Sequence, residues 1–273
     1  MEYIMPDAFV GLIIVGLIAG LASGLFGIGG GIIIVPTLIT FLEFSQLNAN
    51  GTSLASRLVP VGIFAALAYY RAGKLDLQIA IVIALGKVAG TFIGSKIALG
   101  LPTTTLQQIY AIFLLYMAWR FIQPLDVWRQ YVTKAAPAAA TATPSSGQEI
   151  ADDDPRPAPY WLLLLGLVAG IAGGLFGIGG GIIIVPMLIA IFKFEQRRAV
   201  GTSLAALQFP ADLPAVVNYY NAGNLEIGTA VFVGLGIIAG AFGGARIALG
   251  LPTATIRKLY GLFLFFVALR FLL

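Results

Sequence analysis

The thirteen residues GLFGIGGGIIIVP occur twice without change, at 24–36 and at 174–186. Around them GTSLA at 51–55 returns at 201–205, Tyr69-Tyr70 returns as Tyr219-Tyr220, and IALGLPT at 97–103 returns at 247–253. Every pair is 150 residues apart, and an ungapped superposition of 20–120 on 170–270 gives identity at roughly half the positions. The chain is a duplicated unit, so a fold assigned to one copy has to serve twice.

That unit belongs in lipid. Hydrophobic residues make up 59% of the 273 and charged residues only 10%, against roughly 45–50% and 25% in soluble domains. The apolar runs last ~15–23 residues, enough to cross or deeply enter a ~30 Å hydrocarbon core as helix. They do not alternate in polarity as barrel strands do. The sequence predicts an all-α polytopic membrane protein of the plasma membrane. The amino terminus MEYIMPD has acidic residues and no Lys or Arg, so it does not read as a removable signal peptide.

Absent residue types exclude chemistry. With Cys 0 and His 0 there is no thiolate, no iron–sulfur ligand set and no histidine triad, haem or zinc ligand. Neither an enzyme nor a cofactor is expected. The net charge of +4 is scattered among apolar segments and reads as a topology signal rather than a nucleic-acid surface.

Residues 1–123 form the first membrane repeat and 160–273 the second. Between them 124–159, rich in Ala, Pro, Ser and Thr and ending in an acidic run, reads as a flexible cytoplasmic linker. Five helical pieces are predicted per copy, at 8–24, 31–44, 51–70, 77–100 and 103–123, then at 160–174, 181–194, 201–220, 226–250 and 252–272. One helix from 8 to 44 would be ~55 Å long, nearly twice the hydrocarbon thickness. The glycine cluster in its middle therefore predicts a broken helix or re-entrant hairpin with its tip near the membrane centre, followed by three spanning helices.

Loop charges then orient the copies. The 43–50 loop lacks basic residues, whereas its counterpart has Lys193, Arg197 and Arg198. Arg71 and Lys74 become Asn221 and Asn224, and Gln107 and Gln108 become Arg257 and Lys258. Because Lys and Arg favour the cytoplasmic side, equivalent loops with opposite bias predict inverted repeats, an arrangement frequent in secondary transporters.

The glycine clusters are the leading candidate site: Gly27, Gly29, Gly30 and Gly31 in one copy, Gly177, Gly179, Gly180 and Gly181 in the other. Each precedes a helix start, where free amides and the helix dipole favour an anion. Two such starts brought together would make a neutral cage of N–H donors. Close helix packing through small residues is the alternative. Thr52, Ser53, Thr202 and Ser203 either donate hydroxyls to an oxyanion or cap the third helix of each copy. Pro60 and Pro210 interrupt those helices.

Three intramembrane charges break the repeat: Arg57 stands opposite Leu207, Lys87 opposite Ile237, and Asp212 opposite Gly62. Charges at that depth face a partner, water or substrate. Arg57 and Lys87 suit an anion, while Asp212 either pairs with Lys87 or carries a proton. Gln208 and Asn218 add polarity to the Asp212 helix. Tyr69, Tyr70, Tyr219, Tyr220, Trp119 and Trp161 at helix ends read as an interfacial aromatic belt.

The duplicated GIGGGIIIVP at 27–36 and 177–186, followed by GTSLA and by the LPT that opens each last helix, resembles the sulfite exporter TauE/SafE family. The resemblance covers the chain outside the linker. It implies a membrane transporter of sulfur-containing anions such as sulfite, sulfoacetate or other organosulfonates, with the anion at Gly29 to Gly31 and Gly179 to Gly181. The expected partners are a small anionic substrate, the bilayer and protons as coupling ion, in a monomer or homodimer. An uncoupled anion channel, or an importer of the same substrates, is the alternative.

Overall fold

The computed structural model describes residues 6–58, 62–122 and 157–251. Pro60, nearly all of the linker, and the helix expected over 252–272 with Arg257 and Lys258 lie outside the described residues. Within them the secondary structure is entirely helical: α1 (Pro6–Phe26), α2 (Gly31–Phe41), α3 (Gln46–Ala55), α4 (Ile63–Arg71), α5 (Leu77–Gly100) and α6 (Thr103–Ile122) in the first repeat. The second has α7 (Pro159–Phe176), α8 (Gly181–Ala190), α9 (Gln196–Gln208), α10 (Leu213–Asn221) and α11 (Ile227–Gly250). Four of them, α1, α5, α7 and α11, are long and apolar enough to cross a bilayer, and α9 with α10 makes a fifth candidate span bent by 48°. The chain is a multi-pass membrane protein.

Small residues at helical spacing decide which helices pair. A Cβ on Gly16, Gly20 or Gly24 of α1 would collide with the α11 backbone at Val233, Ile237 and Ala241 in turn. In the corresponding pair, Gly86, Gly90 and Gly94 of α5 meet Leu163, Leu167 and Ile171 of α7. Numbers rise together in both pairs, so α11 runs parallel to α1 and α7 parallel to α5. With no hydrophobic drive between helices in lipid, this backbone approach is what holds them together. Each repeat's first helix therefore packs on the other repeat's long helix, and the halves are interlocked.

After α1 the chain turns sharply. Gly30 returns to within 3.0 Å (as a built Cβ) of the Ala19 carbonyl, seven residues or about 10 Å back from Phe26 at the helical rise. Gly180 makes the same return to Ala169. The glycine segments are thus tight reversals, followed by short apolar helices of 11 and 10 residues.

The third piece of each repeat differs from expectation. It starts five residues earlier than GTSLA, at Gln46 and Gln196, and is two helices rather than one. Ser45 caps α3 by accepting from the Asn48 amide at 3.2 Å, whereas no side chain caps α9 at Glu195. GTSLA lies inside the helix because Gly51 and Gly201 are pressed against the carbonyls of Asn224 and Lys74 and the Tyr219 and Tyr69 side chains. Glycine serves contact there, not helix termination.

Two members of the aromatic belt are also corrected. Tyr70 and Tyr220 are exposed, as is Trp161, but Tyr69 and Tyr219 are fully buried. Their hydroxyls donate to the Gly24 and Gly174 carbonyls at 3.0 and 2.8 Å. The Trp119 side chain lies outside the described residues.

Candidate functional site

The two glycine tips meet. Gly31 is packed against Gly177 and Ile178, and Gly181 against Gly27 and Ile28. At each tip the N–H groups of the third and fourth helical residues fold back on one carbonyl: Ile33 and Ile34 on Gly30, Ile183 and Ile184 on Gly180. The first amides of α2 and α8, at Gly31, Ile32, Gly181 and Ile182, have no acceptor within their own helix.

The hydroxyls do not cap. Ser53 Oγ donates to the Gly177 carbonyl and Ser203 Oγ to the Gly27 carbonyl, each at 2.8 Å. Thr52 Oγ1 accepts from the Glu226 amide and Thr202 Oγ1 from the Asp76 amide, each at 3.0 Å. All four are buried and all four bind the opposite half. They are crosslinks: the serines fix one repeat's tip, and the threonines the start of its long helix, to the other repeat's third helix, and the capping reading is set aside.

The cage is not neutral. Arg57, just past the end of α3, is buried, with 8% of its surface exposed. Its Nε donates to the Ser53 carbonyl at 3.0 Å, Nη1 to Ile178 at 3.0 Å and Nη2 to Gly177 at 2.9 Å. Gly29 and Gly179 flank the guanidinium, and a Cβ on Gly179 would run into Nη1. Gly179 also has φ 77°, a left-handed angle that glycine alone adopts freely. Sequence reading expected backbone amides at the centre. A cation held by tip carbonyls is found instead.

Beside Arg57 lies a cavity of about 10 Å³, bounded by Ser23, Gly29, Gly62, Gln208 and Asp212 as well as Arg57. That is room for about one water. Gln208 spans the gap between repeats: its Oε1 accepts from the Gly62 amide at 2.9 Å and its Nε2 donates to Leu204 at 3.0 Å. Asp212 is not deep in a continuous helix; it stands in the break between α9 and α10, at the N-terminal end of α10. Lys87 of α5 reaches it at 2.9 Å, and both side chains are buried. The two candidate partners therefore do pair.

Two further residues escaped sequence reading. Thr91 Oγ1 donates to the Ala211 carbonyl at 2.7 Å, and Ser95 Oγ accepts from Asn218 Nδ2 at 2.8 Å. With Lys87 they form an i, i+4, i+8 stripe that grips the second break. Its signature was available, because the equivalent positions are Ile237, Ala241 and Ala245.

The family model described as sulfite exporter TauE/SafE matches residues 12–271. A probable membrane transporter protein of Haemophilus influenzae is 28% identical over 283 residues, covering 96% of this chain and 97% of its own. The probable membrane transporter protein YunE of Bacillus subtilis is 27% identical over 252 residues, 88% of this chain and 87% of its own. A probable membrane transporter protein of Methanocaldococcus jannaschii is 28% identical over 242 residues, 83% and 81%. No solved structure matches. These relatives are transporters, not enzymes, and with the interlocked glycine tips and the family match along nearly its whole length, the chain belongs to the TauE/SafE family of membrane transporters.

Proposed function

We propose that the protein is a secondary transporter that carries a small sulfur-containing anion, such as sulfite, sulfoacetate or a related organosulfonate, outward across the plasma membrane by alternating access. The observation that carries this reading is Arg57, a buried cation between two glycine tips on the wall of a small cavity that Asp212 and Gln208 share with the apolar Leu207 and Ile237. Burying a charge in this way is costly and is characteristic of substrate or ion paths. A void with room for about one water favours an occluded carrier over an open pore. Protons, or the membrane potential, would drive the exchange.

Inversion of the halves is part of the proposal. The start of α11 at Glu226 is bonded to Thr52, whose neighbour Ser53 holds Gly177 at the end of α7. Gly177 at the end of α7 also packs on Gly31, beside Gly30 at the level of Ala19 in the middle of α1, and Gly27 at the end of α1 packs on Gly181, beside Gly180 at the level of Ala169 in the middle of α7, which supports opposite directions for the two first helices. The basic loops gather at one end, where Lys74 pairs with Glu195 at 2.7 Å and Arg198 with Asp76 at 3.1 Å. Arg197 donates to the Leu251 carbonyl at that same end. By the positive-inside tendency that end faces the cytoplasm.

The test is uptake of sulfite, sulfoacetate and taurine into proteoliposomes, with and without a proton gradient. Saturable uptake of at least one of these, altered by the gradient, is expected. No flux of any of them overturns the proposal, and large non-saturating currents replace it with a channel.

A further inference from the structure

Among the described residues the buried charged side chains are Arg57, Lys87 and Asp212. Two positive charges and one negative leave a single net positive charge beside the cavity. Asp212 stands between Lys87 and that cavity: it meets Lys87 at 2.9 Å on one side and bounds the void with Arg57 on the other. Among the described residues Lys87 Nζ has no polar partner beyond that ionic contact, so its charge is spent on Asp212. Arg57 is therefore the charge left for a guest. The carbonyls of Ser53, Gly177 and Ile178 solvate it.

We propose that this triad makes the site selective for valence, taking monovalent oxyanions such as hydrogen sulfite or a simple sulfonate and rejecting divalent ones such as sulfate and the dianion sulfoacetate, which narrows the substrates named above to the monovalent ones. The inference rests on the anion-transport reading and adds the charge of the substrate to it. A monovalent guest brings the buried site to neutrality. A divalent guest leaves an uncompensated negative charge in lipid, beside the Asp212 carboxylate, where both the image cost and the repulsion oppose it. Lys87 and Asp212 act here as specificity-setting residues. Asp212 borders the guest, and Lys87 works through Asp212.

The experiment measures sulfite uptake into proteoliposomes, with the membrane potential clamped at zero, and its inhibition by methanesulfonate and by sulfate. For the wild-type protein, methanesulfonate should compete at least ~10-fold better than sulfate. Asp212→Asn raises the buried charge by one and should move that ratio at least ~10-fold toward sulfate. The double variant Lys87→Met with Asp212→Asn restores one net positive charge. It should discriminate as the wild type does, whatever its rate, and it keeps the test decisive should the single variant fail to fold. Equal competition by the two ions in wild type, no competition by methanesulfonate, or a double variant that favours sulfate overturns the valence assignment while sulfite uptake persists. Absence of sulfite uptake by the wild type instead removes sulfite as a substrate and, with it, the basis of this inference.

Discussion

The broken third pieces of the two repeats share a sequence plan and differ in what surrounds the break. In the first, α3 ends two residues before Arg57, and the facing long helix α11 offers Ile237, Ala241 and Ala245, all buried and apolar. In the second, α9 carries Leu207 at the position of Arg57, and the facing helix α5 offers Lys87, Thr91 and Ser95. Each of these makes a polar contact to the segment 211–218, at Asp212, Ala211 and Asn218. The first arm thus supplies the charge at the site and lies on a greasy wall. The second is clamped. Duplication kept the scaffold, whereas the departures from symmetry put the cation on one arm and the polar grip on the other.

The largest effect tests orientation and is all-or-none. The natural chain has Cys 0, so Ser45→Cys and Glu195→Cys, at equivalent exposed positions, give unique labels. A membrane-impermeant maleimide should reach Ser45→Cys only from outside and Glu195→Cys only from inside. Labelling of both from one side would make the arms parallel and end the comparison.

Next is Arg57→Leu, which gives the first arm the residue of the second. It leaves the Ile178 carbonyl without its Arg57 donor, at about 1–3 kcal/mol for a buried polar group left unsatisfied, whereas the Gly177 carbonyl keeps the Ser53 hydroxyl. Sulfite uptake should be lost, with a lowered midpoint of thermal unfolding in detergent. Retained uptake would mean the cation is scaffolding.

Gly179→Ala and Gly29→Ala sharpen the same point at the tips. Both place alanine at positive φ, costing roughly 1–2 kcal/mol, but only at Gly179 does the new Cβ overlap the guanidinium; at Gly29 it sits 3.0 Å from Nη1. Gly179→Ala should therefore depress unfolding temperature and uptake clearly more than Gly29→Ala. Equal losses would place Arg57 elsewhere.

The smallest effect concerns the clamp. Thr91→Ala copies the apolar arm and removes the 2.7 Å bond to Ala211, worth about 1 kcal/mol. The reciprocal substitution Ala241→Thr has no such purpose and serves as the control. Thr91→Ala should change the sulfite exchange rate more than it changes protein stability. An unaltered rate would reduce the stripe to packing.

Much of this was legible in the sequence. The 150-residue offset, the helix breaks at the glycine clusters and Pro210, and the asymmetric trio Arg57, Lys87 and Asp212 all follow from aligning the chain with itself. The centre of the site was not legible, because helix-start amides and tip carbonyls lie in one glycine segment and sequence does not say which will turn inward. Arg57 decided it: the guanidinium takes the Gly177 and Ile178 carbonyls, and Ser53 and Ser203 take those of Gly177 and Gly27. The third helix was misread for a related reason. Gly51 and Gly201 look like breakers, yet their role depends on loops from the other repeat, which no local pattern reveals. Tyr69 and Tyr219 likewise look interfacial until the opposing turn buries them.

An anion bound at Arg57 between the two glycine tips is visible to a cryo-electron microscopy map of the protein saturated with sulfite. Density is expected between Gly29 and Gly179, within hydrogen-bonding distance of the Arg57 guanidinium. Density elsewhere, with Arg57 still donating to the Gly177 and Ile178 carbonyls, would contradict that placement.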